Sequence, residues 1–196
     1  MGRRKKKRAA PTIPELEREI ARIKYKKNYR RTLRGTVGVL ITVAAAAVLV
    51  ATLLLPVLQI YGTSMTPTLE NGEIVLSLKD SDFEKHDIVA FYYNNKILVK
   101  RVIARAGEWV NIDEDGQVSV DGVPLEEPYV EELAFGECDI QLPYQVPEGR
   151  LFVMGDHRSV SVDSRSTSVG CVAEEQIVGR LVFRIWPLDR FGFLEE

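Results

Sequence analysis

One stretch of this 196-residue chain decides its architecture: from Gly35 to Ile60 the sequence reads GTVGVLITVAAAAVLVATLLLPVLQI, 26 residues without a charged side chain. As a helix it would reach about 39 Å at ~1.5 Å per residue. That length exceeds the ~30 Å hydrocarbon core of a bilayer. Pro56 lacks a backbone N–H and is expected to end or kink the helix. The stretch therefore predicts one transmembrane helix over residues 35–58.

Two other interpretations of this apolar stretch stay open. A buried core helix is one, although core helices so long and so uniformly apolar are rare. A cleavable secretory signal is the other. Its apolar segment would be shorter, and the 34 residues before Gly35 are long for its basic region.

Charge is distributed unevenly about the predicted span. Residues 1–34 hold 14 Lys and Arg against 3 Asp and Glu, and the remaining residues hold 12 against 25, so the net charge of −2 combines +11 with −13. An excess of basic residues marks the cytoplasmic side of a span. The sequence thus predicts a single-pass protein of the cell membrane. Residues 1–34 would be cytoplasmic, and residues 59–196 would form an extracytoplasmic domain.

The basic segment has two parts. Six of the first eight residues are Lys or Arg, and they form either a solvated tail or a tag attracted to anionic lipid. No fold accompanies them that would indicate nucleic-acid binding. Over residues 12–34, Pro14 suits a first helical turn, and Leu16, Ile20 and Ile23 share one helical face. This second part predicts a juxtamembrane helix.

Beyond Tyr61 the pattern changes to short runs rich in Val, Ile, Phe and Tyr, which favour strands. Turn dipeptides such as Asn71-Gly72 and Asp121-Gly122 separate these runs. The predicted strands are Glu73–Leu78, Asp87–Tyr93, Ile97–Ile103, Trp109–Ile112, Gln117–Val120, Leu151–Met154 and Ile177–Ile185. The predicted fold class is mainly β, an antiparallel β-sheet domain preceded by one N-terminal transmembrane helix.

Cysteine and histidine are scarce. Cys138 and Cys171 either form one disulfide outside the cytosol or remain two buried thiols. Only two histidines, His86 and His157, are present, and no spacing of Cys or His suits a metal site. The sequence predicts neither a metal nor another cofactor.

Lys100 lies inside the apolar run Ile97–Ile103. Because side chains alternate along a strand, Lys100 and Arg101 must point to opposite faces, and one of them faces apolar groups. Burial lowers the pKa of a lysine, and a fall from ~10.4 to about 7–8 would make it a usable general base. A neutral amine beside a serine hydroxyl is a sufficient catalytic pair. An ion-paired lysine is the alternative.

A polar loop follows the strand predicted at residues 151–154. Val153–Arg165 contains two Asp, two Arg and three Ser. Such a loop either fixes a neighbouring site through charge-assisted hydrogen bonds or is simply solvated.

Three segments in this order resemble the type I signal peptidase family. Gly62–Leu69 reads GTSMTPTL and is similar to the serine box GxSMxPTL; Val99–Gly107 reads VKRVIARAG; and Gly155–Arg165 reads GDHRSVSVDSR. The preceding anchor is typical of the single-anchor, Gram-positive-like branch. The resemblance implies a membrane-bound serine endopeptidase that cleaves signal peptides from translocated preproteins after small residues, the Ala-x-Ala rule.

The resemblance also implies roles for individual residues. Ser64 would be the nucleophile, Lys100 its general base, and Ser161 would orient the lysine amine. Gly62 stands where some relatives carry a serine that helps to bind the oxyanion. Residues implied in substrate binding are Gln59, Ile60, Tyr61, Met65, Leu69, Leu98 and Val99. Residues implied as structural supports are Arg101, Asp156, Arg158, Asp163 and Arg165.

Two positions depart from the family pattern. His157 stands where the family usually has Asn, and His86 stands where it usually has Gly. Neither replaces a catalytic group, but both put the local turn geometry in question. The implied partners are preprotein signal peptides, the lipid bilayer and nearby protein translocation machinery, and nucleic acid is not among them.

Two rival functions are weighed against this one. A catalytically dead, membrane-tethered assembly factor on the same fold would be expected to lack the serine or the lysine, yet both are present. A soluble self-cleaving Ser–Lys repressor would need a DNA-binding domain in place of the apolar span.

Overall fold

The structure is a computed structural model that describes residues 12–79 and 82–194, with residues 51–54 described by their backbone alone. It divides into two compact units, Met1–Ala51 and Thr52–Glu196. The basic residues predicted to form a tail, within the first eight positions, lie outside the described part.

The N-terminal unit is built on one helix, α1, which covers Ile13–Leu54 over 42 residues. It joins the predicted juxtamembrane helix to the apolar stretch without a break. A carboxylate oxygen of Glu15 accepts a hydrogen bond of 2.9 Å from the Thr12 N–H and satisfies one free donor at the helix start. By length and composition α1 is able to cross a membrane. It ends two residues before Pro56, so its helical part stops short of the predicted boundary at residue 58.

The second unit is almost entirely β-structure. Its strands within the described residues are β1 Val57–Gln59, β2 Ile74–Leu78, β3 Ile88–Tyr93, β4 Lys96–Ala104, β5 Trp109–Ile112, β6 Val118–Val120, β7 Val123–Pro124, β8 Tyr144–Gln145, β9 Arg150–Met154, β10 Val172–Ala173, β11 Ile177–Trp186 and β12 Gly192–Phe193. Two short 3-10 helices cover Glu174–Gln176 and Leu188–Arg190. All seven predicted strands are confirmed, each to within one residue at either end.

The strands form two sheets. The larger follows the order β1-β2-β11-β3-β4-β9-β10, with β12 added beside β11, and the smaller follows β7-β6-β5-β8. Every strand pair is antiparallel. The predicted fold class, an antiparallel β domain after one long apolar helix, is confirmed.

The centre of the larger sheet is covered on both faces. On β3, Ile88 and Ala90 belong to one core cluster with Leu69, whereas Val89 and Phe91 belong to another. Because β4 pairs with β3 along its length, polar side chains on the inner part of β4 are withdrawn from water. This position explains how a lysine of β4 becomes buried.

The two cysteines do not pair. Cys138 is half-buried and Cys171 is buried, and both are free thiols. The alternative of two free thiols agrees with this, although only Cys171 is buried as expected.

Candidate active site

Ser64 lies in the turn that connects β1 to β2. Apolar anchors fix this turn to the core, because Met65 and Leu69 are buried and the Leu69 N–H donates to the Met65 carbonyl over 2.8 Å. At its start, Gly62 has φ +95°, a left-handed conformation that glycine adopts without steric cost. The hydroxyl of Ser64 is thus held at the surface of a well-packed turn, half-buried.

Lys100 on β4 reaches this hydroxyl. Its Nζ lies 2.6 Å from Ser64 Oγ, within hydrogen-bond distance. The side chain is buried, with only 3% of the residue exposed. Burial lowers the pKa of Lys100 to about 8, opposed by the attraction of Asp163 and Asp156 and assisted by the positive charge of Arg165. A substantial share of the amine is therefore neutral in mildly alkaline solution, where it can accept the serine proton.

Ser161 is buried in the same region, but its predicted hydrogen bond to the lysine is not formed in this structure. Ser161 is 2% exposed, and its Oγ has no hydrogen-bond partner among the described residues. The hydroxyl packs against Gly155, where a Cβ would collide with both Ser161 Oγ and the Ser64 carbonyl oxygen. The absence of a side chain at Gly155 therefore lets the polar loop approach Ser64 closely. The sequence alone did not reveal this role.

A buried ion pair joins β4 to the polar loop, and Thr68 connects this pair to the turn that carries Ser64. The Arg101 guanidinium donates to both carboxylate oxygens of Asp156, at 2.9 and 2.8 Å, and both side chains are 1% exposed. The Thr68 hydroxyl donates to the same carboxylate over 2.5 Å. The ring of Tyr129 covers the guanidinium at 3.8 Å. Arg101 and Asp156, two of the residues implied as structural supports, are thus buried together, and Thr68 and Tyr129 contact them.

Two further arginines brace the loop that carries Ser161. Arg165 donates from Nε and Nη2 to the carboxylate of Asp163, each over 2.9 Å, and that carboxylate accepts the Gly155 N–H over 3.0 Å. Arg158 forms an almost completely buried ion pair with Glu127. The predicted supports Arg158, Asp163 and Arg165 are therefore brought together. Glu127 lies 31 residues before Arg158 in the sequence. It was not predicted, because no local sequence pattern indicates so distant a partner.

The turn at His86, where the family usually has Gly, has a backbone conformation typical of glycine. His86 adopts φ +75°, a left-handed conformation that is uncommon for residues other than glycine. Its ring packs edge-on against Tyr129 with centroids 5.7 Å apart, and its Nδ1 lies 3.1 Å from the Tyr129 hydroxyl. These contacts help to offset the conformational cost, so the turn forms without a glycine.

A groove of about 690 Å³ opens beside Ser64 and Lys100. It runs between the segment that follows the helix and the first half of β4. The lining residues are Leu58, Gln59, Ile60, Tyr61, Gly62, Ser64, Met65, Asn95, Lys96, Ile97, Leu98, Val99 and Lys100. Six of the seven predicted substrate-binding residues are present. Leu69 is the exception, because it is fully buried in the core beneath the turn.

Within residues 12–79 and 82–194, no group of three or more His, Cys, Asp or Glu side chains is arranged to hold a metal ion. A serine hydroxyl within reach of a buried lysine amine, at the end of a largely apolar groove, is an arrangement able to carry out nucleophilic catalysis.

Comparison with known proteins assigns the family. The profile of the family described as "Signal peptidase, peptidase S26" matches residues 33–186. The chain therefore belongs to the signal peptidase family of serine peptidases, and the resemblance seen in the three sequence segments is confirmed.

Two sequence relatives agree with this assignment. Signal peptidase IB of Staphylococcus aureus strain MRSA252 is 36% identical over 154 residues, which cover 68% of this chain and 79% of that protein. The chloroplastic thylakoidal processing peptidase 1 of Arabidopsis thaliana is 38% identical over 146 residues, but these span only 41% of the plant protein. A crystal structure of a signal peptidase I from Enterococcus faecalis V583 aligns with a TM-score of 0.44 and 29% identity, covering 51% of this chain and 97% of that one.

Proposed function

We propose that this protein is a membrane-anchored endopeptidase that removes signal peptides from preproteins, with Ser64 as nucleophile and Lys100 as general base. One observation carries the proposal: the Lys100 amine lies 2.6 Å from the Ser64 hydroxyl on a side chain that is almost completely buried. Only a desolvated amine with a lowered pKa is neutral often enough to take a serine proton near neutral pH.

The reaction begins when neutral Lys100 removes the Ser64 proton as Oγ attacks the scissile carbonyl. The negative charge that develops on the carbonyl oxygen is stabilised by a hydrogen bond from the backbone N–H of Ser64. Gly62 adds no side-chain donor to this site. The ammonium of Lys100 then protonates the leaving amine, and an ester to Ser64 remains. Lys100 next deprotonates a water molecule, whose oxygen attacks the ester carbonyl. The ammonium then returns this proton to Ser64 Oγ as the ester bond breaks, which releases the acyl product as a carboxylic acid and restores the serine and the neutral lysine.

The substrate would bind as an extended peptide along the groove. Backbone groups of residues 59–62 and 97–99 are suited to pair with it as an added strand. Ile60 and Met65, which line the groove, are themselves 5% and 2% exposed. Because these side chains are held in the core, they form fixed apolar walls against which substrate side chains must fit. Small residues at the first and third positions before the cut, the Ala-x-Ala rule, fit this constraint.

The membrane topology follows from charge. The basic residues before Gly35 favour a cytoplasmic N-terminus, a span within residues 35–58 and a catalytic domain outside, over residues 59–196. Preproteins leaving the translocation machinery would meet the site on that side. A reporter active only outside the cytoplasm, fused after residue 196, should be active in intact cells; an inactive reporter would contradict this orientation.

Cleavage of a preprotein by the detergent-solubilised full chain tests the chemistry. Ser64→Ala and Lys100→Met should each lower kcat/KM by at least about a thousandfold, whereas Lys79→Met, at an exposed position, serves as the matched control and should cleave normally. A preprotein with Phe in place of Ala before the cut should resist the wild-type protein. Full activity of Lys100→Met would refute the proposed dyad, and binding without cleavage by the wild type would indicate a tethered, non-catalytic factor.

A further inference from the structure

His157 lies where the nucleophile turn meets the polar loop. Its backbone N–H donates to the Ser64 carbonyl over 3.1 Å, and its own carbonyl accepts the Ser161 N–H over 3.1 Å. One residue therefore connects the backbone of the proposed nucleophile to that of Ser161. In the sequence, this histidine stands out as a departure from the family pattern.

The side chain of His157 makes a second set of contacts on the same turn. Its Nδ1 lies 3.0 Å from Thr66 Oγ1 and 3.3 Å from the Thr63 carbonyl oxygen. The Thr66 hydroxyl itself donates to the Thr63 carbonyl over 2.8 Å. With Nδ1 protonated, all of these contacts are satisfied at once, because the carbonyl can only accept and the threonine hydrogen points to it. We therefore assign the hydrogen to Nδ1.

The carbonyl held in this way belongs to the peptide bond between Thr63 and Ser64. In a planar trans peptide the C=O and the N–H point in opposite directions. Fixing the Thr63 oxygen on the side of His157 therefore fixes the Ser64 N–H on the opposite side. Hydrogen bonds to the carbonyl also polarise the amide and strengthen its N–H as a donor.

We propose that His157, acting with Thr66, is a positioning residue for the oxyanion site: it anchors the Thr63 carbonyl so that the Ser64 N–H is aimed at the substrate carbonyl oxygen. This inference rests on the proposed function, in which the Ser64 N–H is the oxyanion donor. An oxyanion donor stabilises the transition state only if it is oriented before the charge develops. Loss of the anchor should therefore slow the chemical step and leave substrate binding intact.

The chemistry of the side chain predicts which replacements preserve this role. The amide nitrogen of an asparagine is attached to Cγ, as Nδ1 is in histidine, so it can donate from nearly the same place. A glutamine amide lies one bond further out and corresponds to Nε2. The pair His157→Asn and His157→Gln thus separates a specific hydrogen bond from general loss of the ring.

The test measures kcat and KM for preprotein cleavage in the solubilised full chain, together with binding of two probes. One probe is a peptide aldehyde ending in Ala-x-alaninal, whose adduct with Ser64 carries the oxyanion; the other is the matching peptide amide, which forms no adduct. We expect His157→Ala and His157→Gln to lower kcat about tenfold, a fraction of the value of a complete oxyanion donor, with KM within about twofold. Aldehyde affinity should fall by the same factor, and amide affinity should not change.

His157→Asn should restore most of the lost kcat. Thr66→Val should reproduce the defect, and the double variant His157→Ala with Thr66→Val should be no worse than either single one, since both act through one carbonyl. A thermal midpoint for each variant shows that it is folded. The inference is overturned if kcat is unchanged, if Asn and Gln behave alike, or if the loss appears equally in amide binding. If the wild type cleaves nothing, or Ser64→Ala cleaves normally, the proposed function fails instead.

Discussion

Lys100 and Arg101 are neighbours on β4, but only the buried charge of Arg101 is compensated by an opposite charge. Both residues are at least 97% buried. Arg101 meets the carboxylate of Asp156 in a two-fold hydrogen bond, which compensates for the loss of water. Lys100 meets a serine hydroxyl and, among the described residues, no carboxylate within ion-pair distance. Arg101 keeps its charge and stabilises the fold through its ion pair. Lys100 can act as a base because burial favours its neutral form.

Replacing the lysine by arginine is the strongest way to break this contrast. A guanidinium keeps its proton at any accessible pH, so Lys100→Arg should retain the positive charge and lose the base. We expect kcat/KM for preprotein cleavage to fall by at least about a thousandfold, and raising the pH to 10 should not recover it. Recovery at high pH would mean that the residue at position 100 does not act by accepting a proton.

Replacing Arg101 tests how much its ion pair contributes to stability. Arg101→Met leaves Asp156 buried without its partner, which should lower the free energy of unfolding by about 3–5 kcal/mol. Chemical denaturation of the purified protein measures the change. Arg105→Met is the matched control on the same stretch of chain, because the Arg105–Asp82 pair is 50% and 78% exposed and such surface pairs contribute little. Equal effects of the two variants would contradict this difference.

The unpaired lysine should cost stability in a defined pH range. The pKa of Lys100 falls from 10.5 to about 8 on folding, so the unfolded chain binds more protons between these values and stability rises with pH. The penalty is complete below about pH 8, at about 3 kcal/mol for a buried group, and disappears near pH 10.5. Lys100→Met should therefore stabilise the protein more at pH 7 than at pH 10. A gain independent of pH would contradict the lowered pKa.

The rate of cleavage should follow the same titration. Because only the neutral amine accepts the Ser64 proton, kcat/KM should rise with pH and level off above about 8. Well below that value it should fall about tenfold per pH unit. A profile measured from pH 6 to 9 on a preprotein without titrating groups near the cut checks this. A flat profile would exclude Lys100 as the base.

Much of the architecture was predictable from local sequence. The seven predicted strands are present because alternating β-branched residues bounded by Gly and Asn turns favour strands wherever one face is covered. The serine, lysine and Asp-Arg segments were identified as one site because they resemble a family in order and spacing. The prediction for Leu69 was wrong because proximity in sequence to Ser64 does not tell which side chains of a turn enter the core.

The sequence by itself determined the apolar stretch, the charge asymmetry and the antiparallel β-strands, because each depends on neighbouring residues. The proposed roles of Ser64 and Lys100 came from the resemblance of three segments to a known family. Only the tertiary structure decided which residues contact the buried arginines: Glu127 pairs with Arg158, and the Tyr129 ring covers Arg101. It also placed Ser161 against Gly155, and His157 against the Thr63 carbonyl. These contacts join residues separated by many positions, up to 94 in the case of His157 and Thr63. Their geometry depends on how strands and loops pack, which no local pattern contains.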